Sequence, residues 1–113
     1  TRFRTRHNVH EFEETDGATV TFDISQSNYQ LVELAGNRTL AVTGDSEGDA
    51  FIIKLKQDGT GSRTVTWWSN IDWFPNGAPV LTTTANRVDA FMFVKKADGR
   101  YDGYIVGQDG TVS

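Results

Sequence analysis

The chain has no cysteine, a single methionine and only two prolines, Pro75 and Pro79. Without cysteine there is no disulfide framework and no thiolate chemistry, and redox usage says nothing about compartment. With so few prolines there is no Pro-rich linker. No apolar run approaches the ~20 residues of a helical membrane span, and no basic start with an apolar centre marks a signal peptide. Membrane insertion is therefore not expected. A basic excess is missing too: 11 Lys and Arg against 15 Asp and Glu leave a net charge of -4. Because phosphate neutralisation needs clustered Lys and Arg, nucleic acid is not an expected partner. Serine-nucleophile motifs, phosphate-cradling glycine loops and dinucleotide fingerprints are also missing, so no cofactor is expected.

What remains is a chain of 113 residues, the size of one ordinary domain, which buries roughly two thirds of its unfolded surface. It begins at Thr1 rather than Met, which fits a processed product or a piece of something longer. Short alternating runs rich in Val, Ile, Thr, Phe and Tyr are separated by Gly-containing turns, and helical periodicity is nowhere sustained. Strands are predicted over 19–24, 29–34, 38–43, 50–57, 63–68, 79–84, 88–96 and 101–107. The expected fold is all-β, an antiparallel β-sandwich of jelly-roll type with about eight short strands. It should occupy residues 18–113, behind an N-terminal arm or connector over 1–17 in which Arg2, Arg4 and Arg6 alternate with Phe3, Thr5 and His7.

Gly36-Asn37, Asp58-Gly59, Asn76-Gly77 and Asp98-Gly99 offer residues that tolerate positive φ, as primed hairpin turns require. Two hairpins follow: 38–43 with the strand before it, and 88–96 with 101–107. The Asp58-Gly59-Thr60-Gly61 link either closes a hairpin or crosses between sheets. In 88–95, Val88, Ala90, Met92 and Val94 lie on one face and Asp89, Phe91, Phe93 and Lys95 on the other. Both faces are partly apolar, which predicts a central strand covered twice, once by the opposing sheet and once by something else.

Residues with chemical potential are few. Asp45-Ser-Glu-Gly-Asp49 resembles a small calcium loop, but the further ligands and closing bidentate Glu do not follow, and a solvated turn is the expectation. His7 and His10 are too few for a metal site. Asp23, Asp72 and Asp89 lie in or beside apolar strands, yet no spacing pairs two of them across a cleft for acid-base work. No catalytic or metal residue is assigned, and the protein is not expected to be an enzyme. Asn37-Arg-Thr39 fits a glycosylation sequon that matters only in a eukaryotic secretory route.

The aromatic block is the better site candidate. All three tryptophans, Trp67, Trp68 and Trp73, fall within seven residues. A strand running through Trp67 and Trp68 would place them on opposite faces, so one core cannot hold both. Trp67 is assigned to the core and Trp73 with Phe74 to a loop anchor. Trp68 is then the ring that needs another cover: a sugar, a neighbouring subunit or a loop over the sheet edge. Trp68, Trp73, Phe74, Tyr101 and Tyr104 are the candidate ligand or subunit contacts, since aromatic faces suit both sugar C–H groups and protein interfaces.

Several segments taken in order carry a resemblance: Phe22-Asp-Ile-Ser-Gln26, Leu34-Ala-Gly-Asn-Arg-Thr-Leu40, Lys56-Gln-Asp-Gly-Thr-Gly-Ser-Arg-Thr-Val-Thr-Trp67, Leu81-Thr-Thr-Thr-Ala-Asn86 and Val88-Asp-Ala-Phe-Met-Phe-Val94. From Thr19 to Gln108 the sequence resembles a small all-β domain of tail fibres, tailspikes and other virion structural proteins of tailed bacteriophages. Similar domains often carry Trp-Pro and a glycine-rich loop after the second tryptophan, where this sequence has Trp68 and Phe74-Pro75-Asn76. The resemblance implies a noncatalytic virion role, contacts with other virion proteins, assembly as a homotrimer and support of host-surface attachment, with a surface glycan as a further partner. The alternative from the residues is a stand-alone carbohydrate-binding module with Trp68, Trp73 and Tyr101 or Tyr104 as a stacking platform.

Overall fold

A computed structural model describes residues 11–111. His7, His10 and the alternating arginines lie outside the described residues. The nine strands are β1 (Phe12–Glu13), β2 (Thr19–Asp23), β3 (Tyr29–Leu34), β4 (Arg38–Thr43), β5 (Ala50–Gln57), β6 (Val65–Thr66), β7 (Ile71–Phe74), β8 (Arg87–Lys95) and β9 (Tyr101–Thr111). The fold is all-β over these residues. Two sheets share one core, a six-stranded sheet in the order β1-β3-β5-β8-β9-β7 and a three-stranded sheet in the order β2-β4-β6.

The expected antiparallel jelly roll is not what forms. The small sheet is wholly parallel, and β1, β3 and β5 are parallel within the large one. Successive strands from β1 to β6 alternate between the sheets, so the backbone winds as a short coil. Parallel neighbours need a long crossover, and here the crossover is a strand of the facing sheet rather than a helix. Only β5-β8 and β8-β9 pair antiparallel, and β7 adds parallel to β9 at the far edge.

The expected hairpin across Gly36-Asn37 is an arch instead: β3 and β4 belong to different sheets, and Leu34 and Leu40 meet in the core between them. The turn reverses the backbone without positive φ at either residue. The Arg38 guanidinium folds back over Gly36 as it crosses to Asp16, so that a Cβ at Gly36 would make it shift. The 58–64 link likewise crosses between the sheets. Asp58 organises it by accepting from Arg63 and from the Thr60 and Gly61 amides, and these bonds, the arginine first, lower its pKa to about 2. The expected β8-β9 hairpin is present, with Gly99 at φ 84° in its turn.

Residues 79–84, expected as a strand, are irregular. Their backbone bonds to side chains instead of a ladder: Thr82 N–H donates to the Asp89 carboxylate (2.7 Å) and Thr82 C=O accepts from Gln57 Nε2 (2.9 Å). Buried polar groups of this kind hold only because they are paired. Phe22, Phe51, Phe91 and Phe93 fill the centre of the core. Burying each such ring contributes about 1.5–3 kcal/mol. Part of the expected terminal arm is tied down as well, through the β1-β3 pairing and the Glu14 N–H to Leu31 C=O bond.

Candidate interaction face

Strand β6 stops at Thr66, and this decides the fate of the tryptophans. Beyond it the alternation of faces no longer applies, and the backbone turns through Asn70 at φ 70° into β7. Both neighbouring indoles therefore reach the same core. Trp67 packs edge-on against Trp73 and Phe91, each at 5.0 Å between centroids. Trp68 lies 4.7 Å from Phe93 and 5.7 Å from Tyr101. The cover that Trp68 requires is thus supplied largely from within the same domain. Its Nε1 is buried with no hydrogen-bond partner among the described residues.

Trp73 is seated by a glycine. β7 lies beside β9 with Trp73 opposite Gly103. A Cβ on Gly103 would come within 2.9 Å of the indole and 2.8 Å of Ile71. Tyr101 closes this inner cluster; its hydroxyl donates to Asp45 at 2.6 Å, and burial first, then that carboxylate, push its pKa far up. The turn that Asp45 opens is solvated as expected, with Ser46, Glu47 and Gly48 exposed, but Asp45 itself is docked, and it also faces Lys95 at 3.5 Å. Among the described residues no group of carboxylates and histidines is placed to hold a metal.

The acidic residues singled out in the sequence are separately engaged. Asp23 accepts from Ser25, and Asp89 accepts from Thr82, Gln108 and Asp109. Asp72 accepts two bonds from Arg100 and one from Lys96, in that order the causes that hold its carboxyl well below the usual range.

Phe74 and Tyr104 are placed differently. They stand opposite one another on β7 and β9, their rings stacked at 5.2 Å and 19°, on the face of the large sheet turned away from the core. Strand register continues their row through Met92 and Ile52 to Tyr29. An apolar row thus crosses five strands, and Phe74 at its end is 52% exposed. At the other end Asn28, Tyr29, Ala50, Ile52 and Met92 help line a hollow of about 440 Å³. Lys54 Nζ donates to Tyr29 Oη at 3.1 Å and lies over its ring. β8 is central, as expected, and its outward Ala90, Met92 and Val94 are half-buried.

The structure thus divides the five candidate residues: Trp68, Trp73 and Tyr101 line the inner cluster, while Phe74 and Tyr104 belong to the outer row. Tyr29, Ile52 and Met92 complete that row and were not foreseen as a site. Their signal was the apolar residue at the outward parity of two strands that already had an apolar inward face.

Residues 15–96 match the family model described as "Putative phage tail fibre C-terminal domain". No curated protein and no solved structure matches the sequence.

Proposed function

Because the chain belongs to this family of phage tail fibre domains, a virion-associated structural component, we propose that it is a noncatalytic fibre module. It assembles with copies of itself, as a trimer, through the outer face of the large sheet and so supports attachment to the host surface. The observation that carries this reading is the row Tyr29–Ile52–Met92–Tyr104–Phe74. Contiguous apolar surface on a free domain marks an interaction site. Copies held on one rigid body would also turn weak surface contacts into avid ones.

Light scattering tests this reading. The wild-type protein is expected to be a trimer, and Tyr104→Asp, which puts a charge within the row, to be a folded monomer by circular dichroism. A wild-type monomer, or a Tyr104→Asp trimer, would overturn it.

The stacked Phe74–Tyr104 pair favours one second reading, a glycan platform much smaller than a three-tryptophan one. In that case Phe74→Ala abolishes glycan-array binding and leaves the oligomer intact.

A further inference from the structure

Asn76-Gly77 is the one Asn-Gly pair of the sequence, and it closes no hairpin. It stands in an exposed run directly after Phe74. Among the described residues no hydrogen bond holds the Asn76 amide. Gly77 has φ 97°, and a Cβ there would meet nothing within 4 Å. The other described asparagines differ. Asn37 is anchored by the Thr64 N–H at 3.0 Å. Asn28, Asn70 and Asn86 are followed by Tyr29, Ile71 and Arg87, whose side chains crowd the next backbone nitrogen. Only at Asn76 do a free amide, a following residue without a Cβ and an open loop coincide.

We propose that Asn76 is a self-modification site that converts to aspartate and isoaspartate. The Gly77 backbone nitrogen gives up its proton to solvent and attacks Asn76 Cγ. A new bond from that nitrogen to Cγ closes a succinimide ring while the Cγ–Nδ2 bond of Asn76 breaks, and Nδ2 leaves as ammonia. Water then adds to either imide carbonyl and breaks its bond to the ring nitrogen. One direction yields aspartate, and the other yields isoaspartate with the backbone routed through the former side chain. Water is the only co-reactant, and nothing is oxidised or reduced.

The product adds a negative charge to a protein already at -4, two residues from Phe74. Resting on the proposed contact face, the consequence is that unassembled copies age out of assembly competence, because copies brought together there would then repel.

The test is peptide mapping of the folded protein after incubation in mildly alkaline buffer, beside the urea-unfolded protein and Asn76→Gln. The expected result is an amide-to-acid mass gain at Asn76 before any other asparagine, as a mixture of aspartate and isoaspartate, and its loss in Asn76→Gln. An Asn76 amide that persists in the folded protein while the unfolded protein converts would overturn the proposal. Earlier conversion of another asparagine would do the same. Light scattering on the aged protein and on Asn76→Asp examines the consequence separately. Loss of the oligomer in both supports it. Conversion with the oligomer unchanged leaves the modification standing and removes the contact-face reading.

Discussion

The two faces of the six-stranded sheet are both aromatic, yet one is closed and the other open. On the inner face Trp67 packs edge-on to Phe91, Trp73 edge-on to Phe93 and Trp68 tilted against Phe93, non-parallel arrangements of the kind that ring quadrupoles favour in a core. On the outer face Phe74 and Tyr104 stack near-parallel with Phe74 half exposed, and the row runs in single file across the strands. Ring content therefore does not distinguish a core from an interaction surface here. What distinguishes them is whether a second layer exists: among the described residues the small sheet and the 67–73 segment supply one on the inner side alone.

The comparison can be broken most severely in the core. Phe93→Ala should cost about 3–5 kcal/mol, because Phe93 is fully buried and touches all three tryptophans. Phe74→Ala should cost much less, about 0.5–1.5 kcal/mol for the isolated domain, the worth of its stack on Tyr104. Urea denaturation of both variants checks this, and equal losses would mean that the outer row belongs to the core after all.

A smaller effect should come from Gly103→Ala, which forces a methyl into the slot between Ile71 and Trp73. Overpacking of this kind costs about 1–3 kcal/mol. Thermal melts should show the loss, and tryptophan fluorescence should show Trp73 displaced. An unchanged melting curve would mean that β7 does not sit over β9 as described.

The smallest effect is electrostatic and lies in the loops that hold the two layers together. Asp58 has its folded pKa lowered to about 2 by Arg63 and two backbone amides. A lowered carboxyl contributes stability that is present above the unfolded value, near 3.8, and lost as pH falls through the folded value. Acid titration of stability should therefore decline between about pH 4 and pH 2, and Asp58→Asn should flatten part of that decline. Asp16, lowered chiefly by Arg38, and Asp72 act in the same sense. Salt should blunt these terms and leave the Phe93 effect intact.

Much of this was legible in the sequence. The predicted strands at 29–34, 38–43 and 50–57 coincide with β3, β4 and β5, and the Asp98-Gly99 hairpin forms as read. Alternation within a strand is local, so a single strand's two faces can be read from its residues. The error at Gly36-Asn37 has a physical cause. A turn that leads to the neighbouring strand and an arch that leads to the facing sheet need similar residues, because both only reverse the backbone. The error at Trp68 has the same root: the length of β6 depends on pairing with β4, which ends after Arg38 and Thr39. Residues 79–84 look like a strand, but Gln57, 25 residues before Thr82, and Asp89, seven after it, capture their backbone.

The sequence by itself determined an all-β fold, the position of most strands and which side chains in each are apolar. It also held the ordered segments that resemble phage fibre domains, which the family match supports. Only the tertiary structure decided that the strands wind between two sheets, that all three indoles share one core, and that Phe74 and Tyr104 line up with Met92, Ile52 and Tyr29. The physical reason is that strand alternation is set by neighbours along the backbone, whereas sheet partnership, and with it the row of residues presented on a face, is set by hydrogen bonds between residues far apart in sequence.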